Sequence, residues 1–130
     1  MRTPFRYAGR NRFDYIVECA TEAQVVNAAP DFALLRTLDA RGVIMTSRAD
    51  DPRVDFVSRC FFPALGVNED PVTGSAHCCL GPFWQRRLGK NELTAIQRSA
   101  REGELHLHVL ESGIAISGQA VTTLRGELIV

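Results

Sequence analysis

Residues 54–80 read VDFVSRCFFPALGVNEDPVTGSAHCCL, and they hold both the strongest strand pattern and the start of the longest helix pattern in the chain. Residues 54–62 alternate. Val54, Phe56, Ser58, Cys60 and Phe62 share one face, and Asp55, Val57, Arg59 and Phe61 share the other. Pro63 ends the run, and a loop is expected from Pro63 to Thr73. From Gly74 the pattern is helical through Leu88 (GSAHCCLGPFWQRRL), with Gly89 as the stop. This helix is apolar over most of its surface through Leu80, Phe83 and Trp84. Ser75, Ala76 and Gly81 are small enough for close packing, so the helix is expected at the centre of the fold rather than on its surface. Pro82 removes one backbone hydrogen bond inside it and predicts a bend or a gap. Arg86, Arg87 and Lys90 sit at its negative end, where cations are favourable.

Working outward, Arg12 to Glu18 reads as a strand, with Phe13, Tyr15 and Val17 on one face and Asp14 and Ile16 on the other. Thr21 followed by Gln24 fits a capping box and predicts a short helix that stops before Pro30. Asp31 caps a second short helix through Leu38, and Gly42 to Ser47 reads as a buried strand followed by a turn at Ala49 to Pro52. Toward the end of the chain, Glu92 to Arg98, Glu104 to Leu110, Gly113 to Ser117 and Ala120 to Leu128 read as strands separated by REG, ESG and SGQ turns. The expected class is α+β, with mostly antiparallel strands wrapped around one apolar helix. No internal repeat or linker interrupts the chain, so residues 1–130 are read as one unit.

Composition excludes several classes. Of 130 residues, 45% are apolar and 23% charged, which excludes a disordered chain, a collagen-like repeat and a coiled coil. Fifteen Lys and Arg balance fifteen Asp and Glu, so the chain has no large positive field for phosphate backbones, and no nucleic-acid partner is expected. The first fifteen residues carry four arginines with no apolar run behind them, and no segment is long enough to span a bilayer. A cytoplasmic protein with no membrane partner is expected. Cys19, Cys60, Cys78 and Cys79 form no CxxC spacing, so free thiols, buried or half-buried, are expected, and no metal site. His106 and His108 lie on one strand face with no third ligand in reach, and they read as exposed strand histidines.

The chemically informative stretch is NEDPVTGSAH, residues 68–77. Glu69 and Asp70 precede Pro71, which fixes the backbone. Thr73, Gly74 and Ser75 lead into the apolar helix, whose first turn offers unpaired N–H groups and a partial positive charge. Gly74 lets a ligand approach the backbone, and a carboxylate fits there, with Asp70 beside it. An ordinary Ser/Thr helix cap accounts for the same spacing. His77 reads equally as a half-buried helix histidine satisfied by a backbone carbonyl. Ser75 lies in no GxSxG elbow, so a serine hydrolase is not indicated.

DFVSRCFFP followed by EDPVTGSAH resembles the signature of the PhzF-like isomerase family, relatives of the phenazine-biosynthesis isomerase with the diaminopimelate epimerase fold. GRNRFDYIVE at residues 9–18 and GELHLHV with ISGQAVTTLRGEL, within residues 103–128, are similar to the family too. The resemblance covers nearly the whole chain, but only the second half of a usual member. It implies one lobe of a two-lobed fold, a curled sheet around a central helix, with the active site between the lobes where two helix starts face each other. It also implies proton transfer between carbons without metal or cofactor. On this sequence the second-lobe acid is Asp70. Ser75 binds substrate with the backbone at Thr73 and Gly74, and Glu69 and His77 are supporting members of the motif. The family's other acid/base, a first-lobe glutamate, has no counterpart here.

Three readings follow from that departure. The chain is an isomerase or epimerase half whose cleft is completed by a homodimer partner or a separately encoded first lobe. Alternatively it is a non-catalytic module that binds a small carboxylate, or a self-associating domain. Carbon acids need a base on one side and often an acid on the other, which half a cleft does not easily supply.

Overall fold

The computed structural model describes residues 4–129. Eight strands form one sheet: β1 (Phe5–Arg10), β2 (Asp14–Cys19), β3 (Gly42–Arg48), β4 (Phe56–Phe62), β5 (Val67–Asp70), β6 (Glu92–Gln97), β7 (Gly103–Leu110) and β8 (Gly113–Gly118). The helices are α1 (Glu22–Val26), α2 (Phe32–Leu35) and α3 (Gly74–Leu88), with a 3-10 turn at Pro63–Leu65. The strand order is β1-β2-β3-β4-β6-β7-β8, and β5 also pairs with β4. Five pairings are antiparallel; β2 with β3 and β4 with β6 are parallel. The fold is α+β with a mostly antiparallel sheet, as expected.

α3 covers one face of the sheet. Ile16, Ile44, Phe56, Cys60, Leu93, Ala95, Leu105, Leu107 and Val109 meet Ala76, Leu80, Phe83 and Trp84 in the main core. Phe56 is the centre of this contact. Its ring stacks on Trp84 at 5.6 Å and on His77 at 6.0 Å, so it fills the space between two residues that lie two helical turns apart. Trp84 Nε1 donates to Thr46 Oγ1 at 3.0 Å, which satisfies the indole inside the core. On the other face Cys19, Val25 and Val57 pack with Val17, Met45 and Ile96 under α1.

The chemistry of the helix ends matches the sequence. Thr21 and Gln24 form the reciprocal capping box of α1, and the Asp31 side chain accepts from Leu34 N–H at the start of α2. α3 begins at Gly74, continues unbroken through Pro82 and ends at Gly89, whose φ of 68° is the left-handed stop. A Cβ on Gly81 would run into Ile114, so this glycine sets how closely α3 approaches β8.

Several expectations need correction. Residues 63–73 are not a plain loop, because they contain the 3-10 turn and β5, which completes the edge of β4. β1 adds a strand ahead of the first one expected, pairing antiparallel with β2. The second helix ends at Leu35 rather than Leu38, and the first predicted strand begins at Asp14 with Phe13 exposed. Ala120 to Leu128 forms no strand: residues 119–129 carry no helix or strand, and Val121, Leu124, Leu128 and Ile129 are at least 86% exposed. The apolar pattern is present, but no neighbouring strand among the described residues takes it up. Cys78 is exposed rather than buried, because it lies on the side of α3 turned away from the sheet. Among the described residues no helix is long and apolar enough to cross a membrane.

Candidate functional site

The site is built where the sheet forks. β4 gives one edge to β3 and divides the other, with Phe56–Ser58 pairing to β6 and Cys60–Phe62 to β5. β5 therefore ends at Asp70 beside Cys60, and β6 ends at Gln97 beside Ser58. Pro71 and Val72 turn the chain from the fork into α3.

Gln97, fully buried, closes the fork. Its Oε1 accepts from Thr73 N–H at 2.8 Å, and its Nε2 donates to the Asp70 carbonyl at 2.7 Å and to Thr73 Oγ1 at 3.0 Å. The Thr73 hydroxyl donates to Asp70 Oδ2 at 2.6 Å. Ser99 Oγ donates to the Pro71 carbonyl at 2.7 Å. Thr73 is the N-cap residue of α3, but its hydroxyl makes no cap bond, because it is committed to Asp70. The simple Ser/Thr cap is thus not what the motif builds. Gly74 and Ser75 are exposed, and a Cβ on Gly74 would meet nothing within 4 Å. No side-chain cap bond closes the start of α3, which keeps its partial positive charge.

Asp70, Thr73 and Ser75 line a cleft of about 250 Å³ with Arg41, Phe62, Leu65 and Val67. Arg41 and Ser75 also border an adjoining hollow with Asn11, Arg12, Phe13, Asp14, Cys78 and Cys79. Arg41 is held rigidly. Its Nε donates to Asp14 Oδ1 at 2.9 Å and its Nη2 to the other oxygen, and the guanidinium lies 5.5 Å from the Phe13 ring and 5.2 Å from that of Phe62. Asp14 is 1% exposed, whereas the Arg41 side chain keeps 28%, so the arginine still presents charge to the cleft. The bond to Asp14 raises the Arg41 pKa further above its usual range.

The remaining members of the motif go elsewhere. Neighbouring residues on a strand point to opposite faces, so Glu69 leaves the cleft. It forms a two-point ion pair with Arg59, Nε to Oε1 at 2.8 Å and Nη2 to Oε2 at 2.9 Å. Arg59 Nη1 also donates to the carbonyls of Val25, Val26 and Ala28, tying β5 to the end of α1. His77, a residue of α3, is fully buried against Phe56 of the sheet, with Nδ1 2.7 Å from the Thr73 carbonyl. A carbonyl only accepts, so Nδ1 carries the hydrogen. Burial lowers the His77 pKa against the opposing effect of that bond, and the net shift favours the neutral ring. The Cys60 thiol, buried behind Thr73, is pushed up to about 12 by burial, so it is no nucleophile.

Of the residues the sequence singles out, Asp70, Thr73 and Ser75 line one cleft, and Gly74 is exposed at the start of α3 without lining it. Sequence reasoning missed Arg41 and Gln97. Gln97 was findable, because it occupies the core-facing phase of β6 after Leu93 and Ala95, where an amide demands partners. Arg41 follows a turn of no distinctive composition and left no signal.

The family profile described as "Phenazine biosynthesis-like protein" matches residues 3–126. The chain belongs to this PhzF-like family. An uncharacterized isomerase of Halalkalibacterium halodurans is 54% identical over 124 residues, covering 95% of this chain and 47% of that protein. The mouse phenazine biosynthesis-like domain-containing protein 2 is 45% identical over 82% of the chain and 39% of its own length. The crystal structure of a PhzF-family protein from Enterococcus faecalis superposes with a TM-score of 0.88 at 43% identity, over 98% of this chain and 48% of that one. The chain spans about half the length of the PhzF-like relatives it matches.

Proposed function

We propose that this chain forms one wall of an isomerase or epimerase cleft that moves a proton at a carbon of a small carboxylate-bearing molecule, without metal or cofactor. The carrying observation is the cleft at the start of α3, where exposed Ser75, the Asp70 carboxyl group and the fixed Arg41 guanidinium line one space, with exposed Gly74 next to Ser75 in the chain. The backbone amides and Arg41 hold the substrate carboxylate, and Ser75 adds a hydroxyl. Asp70 takes or returns the proton. The opposite wall, with the second acid/base, comes from a second lobe, whether from another copy of this chain or from the other half of a two-lobed molecule.

Binding without turnover is the second reading. It is favoured by one observation: of the residues lining the cleft, only Asp70 carries a carboxyl group, so this wall supplies one acid/base and not two. One experiment separates the two. The chain is incubated with small carboxylic acids in deuterated water, and incorporation at carbon is followed by NMR while light scattering gives the mass. Carbon exchange that disappears in Asp70→Asn supports the isomerase. Saturable carboxylate binding with no exchange on any acid supports the binding module, and the absence of both overturns the site.

A further inference from the structure

The hydrogen-bond donors and acceptors around Asp70 leave one arrangement. The Asp70 carbonyl can only accept, and the Thr73 backbone N–H can only donate. The Gln97 side chain touches both, so its amide cannot be flipped: Oε1 faces Thr73 N–H at 2.8 Å and Nε2 faces the Asp70 carbonyl at 2.7 Å. The second hydrogen on Nε2 goes to Thr73 Oγ1 at 3.0 Å. The Thr73 hydroxyl then directs its own hydrogen to Asp70 Oδ2 at 2.6 Å. Asp70 Oδ1 has no protein partner among the described residues, and Asp70 borders the cleft.

We infer that Gln97 is a positioning residue for Asp70, acting through Thr73 to lock Oδ2 as an acceptor so that Asp70 exchanges its proton with substrate at Oδ1 alone. In that exchange the Oδ1–H bond forms as the substrate C–H bond breaks, and the electron pair stays on the substrate carbon. The inference rests on Asp70 being the proton-transferring group of the proposed function. The orientation itself stands on the hydrogen bonds. The fork in the sheet makes it possible, because Ser58 and Cys60 bring the ends of β6 and β5 side by side. A buried amide with every donor and acceptor engaged is rigid, which holds a reacting oxygen in place.

The test uses Gln97→Glu, Thr73→Val and Thr73→Ser. A glutamate at 97 still accepts from Thr73 N–H, but its other oxygen carries at most one hydrogen, so it cannot donate to both the Asp70 carbonyl and Thr73 Oγ1 as Nε2 does, and it competes for the Thr73 hydroxyl hydrogen. Crystal structures are expected to show the Thr73–Asp70 side-chain contact opened in Gln97→Glu and kept in Thr73→Ser. In the deuterium-exchange assay, Gln97→Glu and Thr73→Val are expected to lower kcat by about tenfold or more with KM little changed, and Thr73→Ser to restore it. An unchanged Thr73–Asp70 contact in Gln97→Glu overturns the inference, as does full kcat in Gln97→Glu. If Asp70→Asn leaves exchange intact, the reading of Asp70 fails, and the crystallographic comparison still decides whether Gln97 orients it.

Discussion

Gly74 adopts ordinary helical geometry with free space where a side chain would be, so neither backbone strain nor packing requires glycine there. The Gly74→Ala variant is expected to be at least as stable as the parent, by up to about 1 kcal/mol in urea unfolding, because alanine favours the helix. Its affinity for small carboxylates is expected to fall in calorimetric titration, because the new methyl group stands where the ligand meets the backbone. Unchanged affinity would remove Gly74 from the site. His77 makes a different prediction. Its pKa is lowered in the folded state from the ordinary 6.5, so below that pH the unfolded chain binds a proton that the folded one resists. Stability from this group is therefore complete above about pH 7 and is lost on acidification, by at most about 1.4 kcal/mol per pH unit. Urea midpoints measured from neutral pH downward are expected to show this slope in the parent and to lose it in His77→Gln.

Among the elements, α3 and β4 were legible because their chemistry is local. Alternation through Phe56, Ser58, Cys60 and Phe62, and a glycine able to take the left-handed conformation at 89, suffice to bound them. β5 was not legible. Val67–Asp70 reads VNED, with little β propensity, and becomes a strand because the upper edge of β4 is unpaired without it. β1 was hidden in the same way by FRYAGR, which pairs with β2 through register rather than through a strong apolar pattern. The site followed the same division. The helix start and Asp70 lie in one continuous motif, whereas Arg41 and Gln97 arrive from other strands and strand ends. The contact of α3 with β8 carries its own prediction. Gly81→Leu puts a side chain into Ile114 and Val109, and overpacking of this kind costs about 1–3 kcal/mol, measurable as a lowered thermal midpoint. An undiminished midpoint would mean that β8 moves aside freely.

For the whole molecule, the sheet and α3 form the core, while Ala120 to Ile129 lies outside it and fully exposed. A chain ending at Gln119 is expected to unfold at nearly the same temperature as the full chain. A large drop would show that the tail packs against the sheet in solution. The parallel pairing of Phe56–Ser58 with Ala95–Gln97 has a further consequence. Two strands lying side by side in the same direction must be joined by a long crossover, so the middle of the sheet closes late. A nascent chain emerging from the ribosome carries the entire EDPVTGSAH segment well before the strand that completes its surroundings has been synthesised. Until residues 92–97 appear, the motif is present as sequence but not as a shaped receptor.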